Sequence, residues 1–471
     1  MKISRLEFLK KIGAGGTALA AGAAFGDRIR AMRGRRLPEG SIGDPDNVWF
    51  GQHIFPLEHT MEDGPSCVIK DGKVIEPSHE LPVFHKTDVV VVGGGPAGFS
   101  AAVSAARTGA KVALVERYGS LGGLFTNGMV LVILGTSVRN DGKWRIVTQG
   151  LCEEFMTRAG KFGKNFANPP ENPCPDRLWH QTVDPEAAKV LMDEMIAESG
   201  VEMFFHSWGV DVIQDDTAVK GVVFESKEGR QAILAKEVVD CTGDADMLFR
   251  AGGGYSQVTC PISTVYRWAN MDTVNPPKGS FGRRSPPLGN EGNPDARWGH
   301  PGQRTGNALS VRDLSRLEVE MRRLNWKKVM DARATPGWEK VYISNTASQI
   351  GVRQSRLIDA EYVMGRKEIE EENRSFSDCI GWCGTDGHHR RGVRIPFRQL
   401  LPKRVDHLLC AGRCLGKGDS IDTLRLIAAC FVTGQAAGIA AGLAAKKGVA
   451  PRKLAFSDLA KALDAQKVYH A

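Results

Sequence analysis

DVVVVGGGPAGFSAAVSAARTGAKVALVE, residues 88–116, holds a strand, a glycine turn, a helix, a second strand and a terminal acid in one unbroken run. The four valines after Asp88 predict a buried parallel strand. Gly93, Gly95 and Gly98 then supply a G-x-G-x-x-G turn, in which each glycine has its own task. Gly93 permits the tight turn, Gly95 lets a pyrophosphate approach the backbone, and Gly98 lets the helix pack on the strand. The helix N-terminus favours the anion through its free N–H groups and its dipole. Glu116 ends the second strand 18 residues after Gly98, a spacing that suits a carboxylate accepting the hydroxyls of an adenosine ribose. By itself this run predicts an ADP-containing ligand and leaves the rest of that ligand open.

The chain has 471 residues, 42% of them hydrophobic, enough for a large core and two or three domains. Its formal charge of +8 is concentrated in residues 1–36, which carry nine Lys/Arg against two Asp/Glu. The remainder is nearly neutral and shows no basic stripe interleaved with aromatics, so nucleic acid is not an expected partner. Residues 1–26 read as an export signal: Lys2, Arg5, Lys10 and Lys11 precede an Ala/Gly-rich apolar run too short to span a bilayer. The words SRLEFLKKIGAGG resemble a twin-arginine signal, with Leu6 standing where the second arginine belongs. The expected location is therefore periplasmic or otherwise extracytoplasmic, with no membrane span in the mature chain; a cytoplasmic protein with an N-terminal helix of another purpose is the alternative. Ten cysteines in this length form no disulfide scaffold and no C-x-x-C pair. The i, i+4 pairs Cys379/Cys383 and Cys410/Cys414 raise a metal or iron–sulfur site, but buried cysteines acting as small hydrophobes are the stronger reading, and no metal is expected.

Residues 27–86 read as an irregular, surface-wrapping extension, with the folded domain starting near Thr87. A glycine-rich loop, GSLGGLFTNG, follows Glu116. A helix is expected over 183–198, capped by Asp184 with Pro185 in its first turn, and leads into a small β-meander. The segment KEVVDCTGDADMLFRAG reads as a strand feeding a tight turn. Residues 255–306 read as irregular loops of a second domain, and long helices are expected over 311–333 and 348–364. The last block is a strand, a glycine-rich loop and a helix whose Gly434, Ala437, Gly438 and Ala441 allow close approach to a neighbour.

With VVGGGPAG, GGLFTNG, VVDCTGDADMLFRAG, IGVRQSRLIDAEYVMG and LLCAGRCLG in this order, the chain resembles the FAD-dependent oxidoreductases of the glutathione-reductase-like flavoprotein superfamily, from about residue 87 to 448. The resemblance implies an α/β fold: a Rossmann-like FAD-binding domain of the glutathione-reductase-like type, discontinuous in sequence (87–130, 182–254 and 401–448), with an inserted α+β substrate or cap domain (131–181 and 255–400) and a C-terminal tail (449–471). It implies FAD held by Gly93, Gly95, Pro96, Ala97 and Gly98 at the pyrophosphate and Glu116 at the ribose. Arg117, Gly122 and Gly123 would line the nucleotide and flavin edge, and the Val210 backbone would meet adenine. Gly243 and Asp244 would close the nucleotide side, and Gly412 and Arg413 would approach the pyrophosphate or ribityl chain. Asp422 and Thr423, in the loop before the last helix, would bring that helix's N-terminus to the flavin N1 and C2 carbonyl. Two departures stand out. Ala245 replaces a glycine between Asp244 and Asp246, and GDSID replaces a His-Glu pair before the last helix.

Hydride transfer at flavin N5 asks the protein for orientation and for a group that moves a proton. His388 and His389 are the first candidates, because imidazole titrates near neutrality; a solvated loop is their bland alternative. Arg353 and Arg356, three apart on the expected helix, would clamp a substrate carboxylate or pair with nearby acids. His180, Thr126 and Asn127 are further candidates for the flavin's reactive edge. The expected activity is hydride transfer between FAD and a small organic substrate with an electron acceptor left open. An FAD-holding binding protein without catalysis and an NAD(P)-linked dehydrogenase are the alternatives.

Overall fold

The computed structural model describes residues 67–140, 143–163, 166–167, 181–274, 297–299, 302–371, 374–385, 392–421 and 423–470, all within one unit spanning 61–471. The export-signal segment lies outside the described residues. The opening motif folds as Val83–Val92 (β1), Pro96–Arg107 (α1) and Val112–Val115 (β2). The strand thus begins upstream of the expected Asp88, inside the segment read as extension. Its first half alternates in exposure while residues 89–92 are buried, so the sequence signal is strong only where both faces are covered. An exposed hairpin of Val68–Lys70 and Lys73–Ile75 precedes it.

Pro185–Ser199 (α2) starts where expected, with Asp184 Oδ1 accepting from the Glu186 N–H at 2.9 Å and Pro185 in the first turn. Glu202–Phe204 (β3) follows it, and Trp208–Asp215 (β4), Ala218–Ser226 (β5) and the first half of Gly229–Asp240 (β6) make the antiparallel meander. The second half of β6 turns parallel, pairing with β1 on one side and with Leu408–Cys410 (β7) on the other. The parallel order is therefore β7-β6-β1-β2-β3. Register aligns Cys410 with Asp240, Asp240 with Val92, Val92 with Val115, and Val115 with Phe204. All five strands thus end on one row.

Ile427–Lys447 (α3) has the length and hydropathy of a membrane-spanning helix, but 94% of its apolar window is buried inside the protein. It lies against α1 with almost no side chain between the two backbones. A Cβ added at Gly434 would stand 2.1 Å from the Ala97 carbonyl oxygen, and one at Gly438 2.0 Å from that of Ala101. Small residues every four positions thus let the helices touch backbone to backbone, fixing the α1 N-terminus against β1.

The remaining described residues build small sheets rather than open loops. Cys260–Ser263 pairs with Arg304–Gly306 and Gly351–Val352, and Tyr266–Ala269 with Arg297–Gly299 and Tyr342–Thr346. The helix Val311–Arg333, capped by Ser310, has the expected bounds. The helix expected over 348–364 is absent. Its residues instead supply two short strands, Gly351–Val352 and Arg356–Ile358, the second paired with Tyr255–Gln257. Ile350, Val352, Leu357 and Ile358 imitate helical spacing, but Gly351 packs against the Ser263 carbonyl, where a Cβ would stand 2.8 Å away. Tertiary pairing overrides the periodicity there.

At the opposite ends of the parallel strands, a cleft of about 440 Å³ is bordered by Lys86, Lys220, Lys236, Glu237 and His407. Glu237 is buried, and its Oε1 is 2.8 Å from His407 Nδ1. Burial, opposed by Lys220, pushes its carboxyl up to about 9, while burial also moves His407 downward. The folded state therefore holds a proton on Glu237 that the unfolded chain releases above the ordinary carboxylate range near 4.5. Stability from this group is full below that range and declines as pH rises towards 9. Glu237→Gln is expected to gain on the wild type by up to a few kcal/mol between pH 5 and 9; parallel denaturant curves for the two proteins across that window would refute this.

Candidate functional site

The row of strand ends carries the glycine turn. Gly93 has φ +97°, its N–H donates to the Val115 carbonyl at 2.8 Å, and a Cβ there would meet the Cys241 carbonyl oxygen at 2.5 Å. A Cβ on Gly98 would stand 1.7 Å from the Gly93 oxygen. Gly95 differs: it is the N-cap of α1, with φ −65°, and nothing lies within 4 Å of the position a Cβ would take. Pro96 begins the helix and Ala97 is buried beneath it. The second glycine loop crosses this turn. The Gly122 N–H donates to the Gly94 oxygen at 2.8 Å, and Gly123 approaches the Gly95 Cα so closely that a Cβ would stand 3.1 Å away.

Glu116 is 5% exposed, and each of its carboxylate oxygens already accepts a backbone bond, from Gly94 N at 2.5 Å and Tyr118 N at 2.8 Å. Each oxygen keeps further acceptor capacity for a hydroxyl. Burial pushes this carboxyl upward, and the two N–H groups oppose it. Arg117 is exposed and stacks over Tyr118 and Trp208. Val210 falls in a register shift of the β4–β5 ladder, between the pairs Gly209–Phe224 and Asp211–Val223. A bulged residue leaves its backbone groups without ladder partners, which suits contact with a base.

After β6, the Asp240 carboxylate accepts from the Thr242 N–H and hydroxyl and from the Met247 and Leu248 N–H groups at 2.7–3.1 Å. Burial pushes it up to about 6, against the Thr242 bond. This bracket holds the turn in which Gly243, at φ +81°, lies beneath Arg413. Asp244 Oδ2 accepts from Arg413 at 2.8 Å and Oδ1 from the Ser355 hydroxyl at 2.5 Å. Gly412, at φ +96°, lies over Ala97, and its N–H donates to the Thr433 hydroxyl at 3.2 Å. Arg413 Nε is buried without a partner. Thr423 is buried just ahead of α3, which begins at Ile427; Asp422 lies outside the described residues.

The catalytic candidates fare differently. His388, His389 and His180 lie outside the described residues. Arg353 is half-buried between the two short strands rather than on a helical face. The expected two-arginine clamp is not formed as such, because Arg356 is committed elsewhere. Its Nη1 donates to Asp246 Oδ1 at 2.7 Å and to the Asp244 carbonyl at 2.9 Å, with its guanidinium over Phe249. Thr126 spends its hydroxyl on the Leu121 carbonyl at 2.5 Å. Asn127 is buried with Nδ2 unpartnered. Sequence reasoning missed Ser355 and Gln349, which meet Asp244 and Asn127 across 111 and 222 residues of chain; no local pattern carries such a pairing. Cys379, Cys383, Cys410 and Cys414 are buried free thiols, and among the described residues no group of three or more His, Cys, Asp or Glu is placed to hold a metal ion.

The open space over Gly95, the bulge at Val210 and the orphaned Arg413 Nε fit a bound dinucleotide. A model of the FAD dependent oxidoreductase family matches residues 88–258 and 288–463. The chain belongs to that family. Its cofactor is accordingly FAD, and the mixed α/β fold described above carries the Rossmann-like FAD-binding domain. Over 47 residues it is 56% identical to dihydrolipoyl dehydrogenase of Trypanosoma brucei brucei, 10% of either chain. Over 179 residues it is 29% identical to thiamine thiazole synthase of Methanococcus vannielii, 36% of this chain and 61% of that one. The chain thus spans less than two thirds of the length of the curated relatives it matches. A geranylgeranyl bacteriochlorophyll reductase-like structure from Thermoplasma acidophilum aligns with 82% of this chain and 84% of its own, at 16% identity and a TM-score of 0.46.

Proposed function

We propose that this oxidoreductase moves a hydride between a small organic substrate and the flavin. The observation that carries the reading is the convergence of the glycine turn, the Gly243–Asp244 turn and Arg413 on one row of strand ends, where open parallel sheets bind their ligands. When bound, FAD supplies the hydride-accepting or hydride-donating centre. The protein's own part is to hold and orient. The turn and the α1 N-terminus receive the pyrophosphate, Glu116 the ribose, and the Val210 backbone the adenine. Asp244, itself held by the Ser355 hydroxyl, keeps Arg413 in place at the ligand, and Arg117, Gly122, Gly123, Gly412 and Thr423 complete the lining.

The fold reads as the glutathione-reductase-like type, with FAD-binding segments 87–130, 182–254 and 401–448. The cap over the flavin would be drawn from residues 131–181 and 255–400. Asp184 supports this arrangement, since it caps α2 and its Oδ2 accepts from Arg267 of the Tyr266–Ala269 strand at 2.8 Å. His388, His389 and Arg353 remain the proton-moving and substrate-orienting candidates. The basic, Ala/Gly-rich residues 1–26 would direct the protein out of the cytoplasm.

Anaerobic mixing of the FAD-loaded protein with pools of sugars, acids and amines tests this reading. Bleaching of the flavin band by one pool, with rates that fall in Arg353→Ala while FAD affinity stays unchanged, is expected. A flavin that dithionite bleaches and no organic donor or oxidised acceptor turns over would overturn it.

A further inference from the structure

Residues 240–246, DCTGDAD, place three carboxylates and no cation in one short stretch beside the glycine turn. A Cβ on Gly93 would stand 2.5 Å from the Cys241 oxygen and 3.0 Å from the Thr242 nitrogen, so this acidic turn borders the place proposed for a pyrophosphate, itself an anion. Like charges at such range repel, and each carboxylate is answered separately. Asp240 is fully buried and accepts from the N–H groups of Thr242, Met247 and Leu248 and from the Thr242 hydroxyl. Asp244 accepts from Arg413 on one oxygen and from the Ser355 hydroxyl on the other. Asp246 is answered by Arg356, whose Nη1 donates to its Oδ1 at 2.7 Å and to the Asp244 carbonyl at 2.9 Å.

Arg356 comes from 110 residues further along the chain, in the short strand Arg356–Ile358. Its guanidinium lies 4.4 Å over the Phe249 ring and 5.7 Å from that of Tyr255, and its side chain is 12% exposed. Asp246 is 32% exposed and also feels Arg117, the neighbour of Glu116, which puts its charge on the nucleotide side of the turn. Burial and Asp244 push its carboxyl upward, and Arg356 and Arg117 oppose them. We infer that Arg356 is a positioning residue for the dinucleotide: it neutralises Asp246, so that the turn beside Gly93 lies against the pyrophosphate without repelling it. Arg356 acts through Asp246 and not by touching the cofactor. The inference rests on the flavin site proposed above and adds to it a cation from outside the segments that hold the cofactor.

The test uses the full chain stripped of flavin and titrated with FAD and with ADP, which carries the pyrophosphate without the flavin. Arg356→Gln is expected to bind both about tenfold more weakly than the wild type at low ionic strength, and the deficit should shrink as salt screens the uncovered charge. Arg356→Lys, which keeps the cation, should recover most of the loss. Asp246→Asn added to Arg356→Gln should restore wild-type affinity. Asp246→Asn alone should bind at least as tightly as the wild type, because the guanidinium then stands unopposed. A merely structural Arg356 predicts the reverse, with Asp246→Asn weakening binding or restoring nothing. Melting curves of the flavin-free proteins establish that each variant is folded, and Asp246→Asn alone decides the matter if Arg356→Gln is not. A loss that Asp246→Asn does not restore, a loss that salt does not change, or weaker binding by folded Asp246→Asn overturns the inference. Failure of the wild type to take up either ligand would instead overturn the site on which it rests.

Discussion

Gly95→Ala is expected to leave the flavin-free protein's melting temperature within about 2 °C of wild type while weakening FAD binding on the order of a hundredfold, about 2.7 kcal/mol. The reason is geometric. Gly95 has φ −65°, which alanine adopts freely, and no atom lies within 4 Å of the new methyl group. The space that the methyl would fill is the space a pyrophosphate needs to reach the N–H groups at the start of α1. Gly98→Ala, three residues on, should behave in the opposite way. Its methyl would stand 1.7 Å from the Gly93 oxygen, so α1 must lift from β1 and the protein loses several kcal/mol of stability with or without FAD. Scanning calorimetry and FAD titration of the two variants separate the roles. Unchanged FAD affinity in Gly95→Ala would mean the pyrophosphate does not cross this turn.

Gly438→Ala is expected to destabilise the protein by about 3 kcal/mol or more, and Gly434→Ala by a similar amount, with the double variant failing to fold. Each added methyl would meet a backbone oxygen of α1, which has no rotamer with which to retreat. Gly442→Ala is the control. Its methyl would meet chiefly the Thr108 hydroxyl at 2.2 Å, the end of a side chain that can rotate at the cost of its bond to the Ala105 carbonyl. That variant should lose only about 1–2 kcal/mol. Because α1 opens at the glycine turn, a folded survivor of the Gly434 or Gly438 substitutions should also bind FAD more weakly. Denaturant midpoints ranked with Gly442→Ala as the most damaging of the three would overturn this account of the helix contact.

The strand–turn–helix–strand unit and α2 were legible because their signals are local. Buried valines, glycines at fixed offsets, Asp184 before Pro185 and the four-residue spacing of Gly434 and Gly438 each act within one element or turn. The segment 348–364 misled for the complementary reason: its apolar spacing suits a helix, yet its backbone bonds go to strands about 90 to 100 residues earlier. Of the two roles expected for Arg356, the structure gives the pairing with nearby acids rather than the clamp, since it bonds the Asp244 carbonyl and the Asp246 carboxylate.

By itself the sequence determined the dinucleotide-binding unit, the acid at Glu116 and the small-residue face of the last long helix, since each follows from the steric and hydrogen-bonding limits of neighbouring residues. Only the tertiary structure decided which distant groups meet. Ser355 reaches Asp244, Arg413 lies over Gly243, and Gln349 stands beside Asn127 because long-range strand pairing and the aligned row of strand ends bring them there. Such contacts depend on packing between segments more than a hundred residues apart, which no spacing along the chain encodes.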